Sequence, residues 1–411
     1  MSGKGGASGG RDGSDARRGA TDLQGDGRAA DPMLVARLLT HLVDLCGTAS
    51  PSRNEREVAD KLRGEFEALG MTVREDDAGS STGGNAGNLI AELPGGLPER
   101  VVLAAHMDTV PLAQGEPLAP IVEGTVVRTT GRQILGADDK AGVCVVLELA
   151  ARAAATPFAE RPTVVAVVTV CEELGLLGAK HLDVAALRAD HGYSFDGEVP
   201  VGELVTAAVF KEDVTFMVEG RAAHAALEPE RGVHAIKAAA AVVAAIPLGR
   251  VADDQVLNIG AIQGGGSTNV IPALVSMRGE FRSFTAERLE ELAERVLRLA
   301  QAAATEHGAR LGVERKRLYA GYSLPDDAVP VGRLAETAAA NGIEARTVSS
   351  IGGSDTSIFN QKGLPTVNVG VNMHEIHSVN EWIDAADLAR VVAWVSAAMG
   401  LRGVHLAGPG S

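Results

Sequence analysis

"TVVAVVTVC", residues 163–171, reads as a strand that water does not reach. It is apolar on both faces and rich in β-branched valine. A half-exposed strand would alternate apolar and polar residues. A continuous run of this kind belongs in a parallel sheet covered by helices. Upstream, "RVVLAAH" (100–106) has the same texture, and "NLIAEL" (88–93) and "GYSFD" (192–196) are strand-like. Helical spacing marks 140–155 and 175–188 between them, and "PMLVARLLTHLVDL" and "NEREVADKLRGEFEALG" before them. In the second of these, Asn54 reads as a helix N-cap and Gly70 as a C-cap. Strands alternating with helices predict an α/β domain.

Farther out the texture changes. "AVFKEDVTFMVEG" and "SMRGEFRSF" alternate as half-exposed strands do, and helices are expected over about 230–246 and 285–307. Strand–helix–strand–strand–helix order predicts a small α+β domain inserted in the first. After about residue 320 the α/β texture resumes: a helix over 329–341, a strand over 346–350, the strand "PTVNVGV" and a last helix over 384–400. The expected organisation is a catalytic domain over 31–207 and 319–402, a mixed sheet between helices, interrupted by an α+β lid and dimerisation domain over 208–318.

Composition narrows the function. The 411-residue chain carries 38 basic and 53 acidic side chains, a net charge of −15. That excludes the basic face a nucleic-acid partner requires. Cys46, Cys144 and Cys171 lie in or beside apolar runs, a sparse odd set that reads as reduced core thiols in a cytoplasmic protein. Residues 1–30, rich in Gly, Ser, Asp and Arg, read as a disordered tail without a secretory signal. No apolar run approaches the ~18–20 residues that cross a bilayer, so no membrane partner is expected.

The strand ends carry the chemistry. His106 and Asp108 follow one strand, two residues apart, and a carboxylate there suits an imidazole that ligates metal. Glu172 and Glu173 close the 163–171 strand. Neighbouring strand residues face opposite ways, so one acid is free to hold a metal while the other faces a water. Asp196 ends a third strand, and "HEIHSVNE" (374–381) places His374 and His377 after a fourth. Any one of these alone is an ordinary structural residue. Together they lie where open α/β sheets place their sites, and their donors suit two divalent ions, Zn²⁺ foremost, with Co²⁺ or Mn²⁺ as alternatives. "ILGADDKAGV" (134–143) adds two adjacent acids, Asp138 and Asp139, at the start of a helix whose dipole favours an anion.

In order and spacing, "HMDTV", "GADDKAG", "EELGLLGAK", "GGSDTS" and "HEIHSVNE" resemble the dinuclear zinc peptidase family. That family includes peptidase T, carboxypeptidase G, aminoacylase and succinyl-diaminopimelate desuccinylase. The likeness runs from about residue 33 to 400 and is nearest to peptidase T-like aminopeptidases. It implies His106 and Asp196 as ligands of one metal, Glu173 and His377 as ligands of the other, and Asp138 as the bridge. Glu172 becomes the general base and Asp108 the acid orienting His106, while His374 has no counterpart. A cis peptide is implied at Asp138–Asp139, with Asp139 holding the loop and not a metal. Within "GRAAHAALEPERG", His224 resembles a histidine that reaches across a homodimer to polarise the substrate carbonyl. Asn269 and Arg282 resemble substrate-binding positions, and Gly353 and Asp355 of "GGSD" are expected in the pocket wall.

The implied activity is two-metal hydrolysis of amide bonds in short peptides, by an aminopeptidase or tripeptidase. An N-acyl-amino-acid deacylase or a carboxypeptidase would use the same chemistry with another pocket. A catalytically dead peptide-binding relative would most simply lack Glu172 or Asp138, and both are present.

Overall fold

The computed structural model describes residues 31–111 and 118–402. The tail expected over 1–30 lies outside them. Among the described residues, nine strands form one mixed sheet. At its centre, strand Arg100–His106 lies between Thr163–Thr169 and His191–Gly197, parallel to both. Strand Thr366–Gly370 runs parallel beside His191–Gly197. Leu89–Leu93 and Glu203–Ala208 flank these four in the antiparallel sense.

The pleat explains the unbroken apolar run. Val164, Ala166 and Val168 face one core, which also holds Leu38, Val145 and Trp394. Val165 and Val167 face the other, with Leu187 and Phe359. Every residue of Thr163–Thr169 is therefore buried. Each such valine is worth ~1.5–3 kcal/mol relative to exposure, and a charge at either face would have no water to reach.

From Phe210 to Tyr319 the chain builds a five-stranded antiparallel sheet with helices Ala235–Ala245 and Ala286–Glu306. Phe216, Val242, Phe281 and Val296 belong to a core of its own. Thr285 caps the longer helix, its side chain accepting from Arg288 N. This sheet has more strands than the sequence pattern suggests. Gly249–Ala252 and Gln255–Gly264 pair as a hairpin, and Arg310–Tyr319 closes the edge beside Phe210–Glu219.

Three local expectations need correction. The helix Arg56–Ala68 is preceded by Glu55, not capped by Asn54; Gly70 does follow it with φ 77°. The strand at 163 ends at Thr169, so Glu172 and Glu173 are not strand residues but open a short 3-10 turn. The stretch 175–188 is not one helix. Gly175 and Leu176 both take left-handed backbone, leaving the short helix Leu177–His181 and a separate turn at Ala185–Leu187. Gly178 packs directly on the strand end: a Cβ there would stand 2.1 Å from Val170 O.

Candidate metal centre and active site

The four parallel strands all deliver side chains to one end of the sheet. His106 is the last residue of its strand, and Asp196 is the last but one of His191–Gly197. His377 comes from the loop after Thr366–Gly370, with φ 60°. Asp138 enters from the start of helix Ala137–Ala155, where Asp138 and Asp139 themselves have non-helical backbone and are joined by a cis peptide.

Asp138 stands between two imidazoles. Its Oδ1 lies 3.2 Å from His106 Nε2, and its Oδ2 lies 3.0 Å from His377 Nε2. Glu173 Oε1 is 2.9 Å from the same nitrogen of His377. On the other side, Asp196 Oδ1 and Glu172 Oε2 lie 3.9 and 4.0 Å from His106 Nε2. Donor atoms of His106, Asp138 and Glu173 fall within 4.8 Å of one another, as do those of His106, Asp139 and Asp196.

The turn that carries the two glutamates is gripped by buried acids. Asp108 accepts from Glu172 N at 2.9 Å and from Glu173 N at 3.2 Å, and from the Ser52 hydroxyl at 2.7 Å. Glu55 accepts from Cys171 N at 3.2 Å. Cys171 has φ 52°, and this bend lets three successive amides point at two carboxylates. The different directions of Glu172 and Glu173 come from that turn, not from strand alternation. Asp108 serves His106 as well. Its backbone carbonyl lies 3.0 Å from Nδ1 and its Oδ1 lies 3.4 Å away.

Crowding acids in a dry site sets the electrostatics. Burial drives the Glu172 and Asp196 carboxyls well above the usual range, with His106 opposing. Asp138 goes the other way: burial raises it, but His106 and His377 outweigh that and hold it well below. The bonds from His377 to Asp138 and Glu173 raise that imidazole to about 10. Among the described residues, two imidazoles, His106 and His377, stand against Asp138, Glu172, Glu173 and Asp196, with Asp139 beside them. Imidazole nitrogens and carboxylate oxygens converging with surplus negative charge fit two divalent cations.

Asp139 has a different occupation. It is fully buried, Oδ2 accepting from His106 N at 3.1 Å and Oδ1 from Gly142 N at 3.0 Å. Its oxygens are thus already engaged in fixing the loop. The cavity over the site is lined by Asp138, Glu172, Glu173, Asp196 and His377 on its floor and by Arg282, Lys211 and Tyr319 from the inserted sheet. Gly353 lines it as well, and a Cβ there would overlap the Tyr319 ring. Asp355 is not in that wall. It lies behind, accepting from the Thr169 hydroxyl, with its other oxygen unpartnered. Nor do His224 and Asn269 line this cavity. They adjoin each other in the inserted domain, where Ala225 N donates to Asn269 O, and His224 is exposed. His374 stacks on Trp382 at a centroid distance of 3.7 Å.

Sequence reasoning missed Glu55, Ser52, Lys211, Tyr319 and Glu381. Glu381 closes "HEIHSVNE", yet nothing in that stretch marks an acid that accepts from the Leu135, Gly136 and Asp138 amides.

Residues 102–400 match the model of peptidase family M20/M25/M40. The uncharacterized protein YqjE of Bacillus subtilis (strain 168) is 35% identical over 362 residues, 88% of this chain and 97% of its own. The solved aminopeptidase PepT from Bacillus cereus ATCC 10987 superposes with a TM-score of 0.79 at 34% identity, covering 89% of this chain and 98% of that one. A solved tripeptidase from Staphylococcus aureus subsp. aureus Mu50 gives 0.82 at 32%, covering 91% and 99%.

Proposed function

The chain belongs to the M20/M25/M40 peptidase family, and from that membership we propose that it is a two-metal aminopeptidase acting on short peptides, tripeptides among them. The observation that carries the reading is Asp138 with one oxygen toward His106 and the other toward His377. That is the arrangement a bridging carboxylate needs. His106, Asp138 and Asp196 would hold one ion, and Asp138, Glu173 and His377 the other. Zn²⁺ suits the mixed imidazole and carboxylate donors, with Co²⁺ or Mn²⁺ as competitors for the same set. When bound, such ions lower the pKa of the attacking water and polarise the scissile carbonyl.

The remaining work falls to side chains. Glu172 is buried, and its Oε2 lies 4.0 Å from His106 Nε2. It takes a proton from water as the oxygen bonds to the carbonyl carbon. It then delivers that proton to the amine as the C–N bond breaks. Arg282 and Gly353 flank the substrate. His224 and Asn269, away from this cavity in a single chain, are supplied by the partner in a homodimer formed through the inserted domain, and His224 donates to the developing oxyanion. A cytoplasmic setting is supported by the free thiols of Cys46, Cys144 and Cys171.

The likeness to a solved aminopeptidase and a solved tripeptidase supports peptides with a free N-terminus. The test is a hydrolysis screen of the Zn-loaded protein on di-, tri- and N-acyl peptides. Preferential release of the first residue from free tripeptides is expected. Faster cleavage of N-acyl amino acids would replace this reading with a deacylase.

A further inference from the structure

The loop that brings His377 to Asp138 also holds Asp138 from behind. Its base is closed by the pairing of His374 with Trp382, backbone to backbone, and by the stacking of their rings. His377, in the middle of the loop, faces the Asp138 carboxylate. Glu381, beside Trp382, turns inward and is 1% exposed. Its Oε1 accepts from Asp138 N at 3.0 Å, and its Oε2 accepts from Leu135 N and Gly136 N, each at 2.8 Å. One loop therefore grips Asp138 at its side chain and at its amide.

On its C-terminal side the chain around Asp138 is held by Asp139, which accepts from His106 N and Gly142 N; on its N-terminal side it is held by Glu381. Gly136 is left-handed with φ 75°, and Asp138 and Asp139 depart from helical backbone. The amides of residues 135, 136 and 138 thus converge on one point, as in an anion-binding nest. A carboxylate answers all three with short, charge-assisted bonds. A neutral amide side chain has one acceptor oxygen and cannot serve both sides.

We propose that Glu381 is a positioning residue that sets the orientation of Asp138 and so couples the two metal sites. This rests on the reading of Asp138 as the bridge. Because that carboxylate serves both ions, a fault in its placement weakens both together. Loss of His377 removes a donor from one ion only. Outer partners of this kind typically change metal affinity ~10–100-fold when removed.

The experiment titrates Zn²⁺ into metal-free wild type, Glu381→Gln and His377→Ala, in competition with a chromophoric chelator. Two bound ions in the wild type test the bridge reading by itself. Given two, Glu381→Gln is expected to weaken both steps ~10–100-fold, while His377→Ala weakens chiefly one. Unchanged affinities in Glu381→Gln, or weakening of a single step, would overturn the proposal. Hydrogen exchange on the wild-type protein needs no variant. The amides of Leu135, Gly136 and Asp138 should be protected even in the metal-free protein, because a carboxylate and not an ion holds them. Rapid exchange at these three amides would equally overturn it.

Discussion

Asp108 accepts a hydrogen bond from the backbone amide of Glu172 at 2.9 Å, so the acid beside His106 also fixes the residue proposed to handle the proton. Removing it should misplace Glu172 without touching the reacting atoms. Asp108→Ala is expected to lower kcat ~10–100-fold at saturating metal. Ser52→Ala removes only a hydroxyl from Asp108 Oδ2, a bond worth about 1 kcal/mol net, and should cost roughly fivefold at most. Steady-state kinetics on both variants checks the ranking. Wild-type kcat in Asp108→Ala would mean that the turn holds itself.

The adjacent acids divide by what they touch. Asp138 faces two imidazoles, whereas the Asp139 oxygens accept backbone amides of His106 and Gly142. Asp138→Asn should therefore lose at least one metal per chain. Asp139→Asn should keep two and lose thermal stability, since a buried amide is left without its acceptor, at ~1–3 kcal/mol. Metal analysis after gel filtration reads the first, and melting the second. Equal metal loss in both variants would show that the division is wrong.

Metal removal should also destabilise the fold. The buried acids at the strand ends repel one another, and two imidazoles do not balance them. An ion that binds only the native state adds about 2.7 kcal/mol at a free concentration one hundred times its dissociation constant. A chelator should lower the melting temperature, and Zn²⁺ should restore it. An unchanged melting temperature would mean that the acids need no cation.

His224 lies outside the cavity of its own chain, so its proposed role requires a partner. Glu172→Ala and His224→Ala should each be nearly inactive as homodimers, and mixing them should restore activity. In a mixed dimer, one site keeps its own Glu172 and borrows an intact His224, while the other lacks both. With random exchange roughly a quarter of all sites should work, given closed two-fold pairing. Differently tagged variants report the exchange. Mixed dimers that form without any rescue would remove the cross-subunit role.

The central strands, and the strand ends at which the candidate ligands His106 and Asp196 lie, were legible because both depend on local pattern. The valines of 163–168 announce two-sided burial, and His106 and Asp196 follow from the strand ends. What holds the candidate ligands in place was not legible, because it depends on contacts far apart in sequence. Glu55 meets Cys171 across 116 positions, and Glu381 meets Asp138 across 243. An acid that binds backbone amides leaves no periodic mark. The turn at 172–176 misled for the same reason. The stretch 175–188 has helical spacing, but the close approach of Gly178 to Val170 and the grip on Cys171–Glu173 impose left-handed backbone at Gly175 and Leu176.

The two glutamates test the account most directly. Glu172→Gln keeps the size of the side chain and removes its basicity, while Glu173 stays beside His377. Metal content and turnover should be measured together on Glu172→Gln and Glu173→Gln, with a tripeptide substrate. Glu172→Gln is expected to bind two metals per chain with KM little changed and kcat lowered ~10²–10⁴-fold. Glu173→Gln is expected to bind metal more weakly. A Glu172→Gln enzyme with two metals and near-normal turnover would contradict the account.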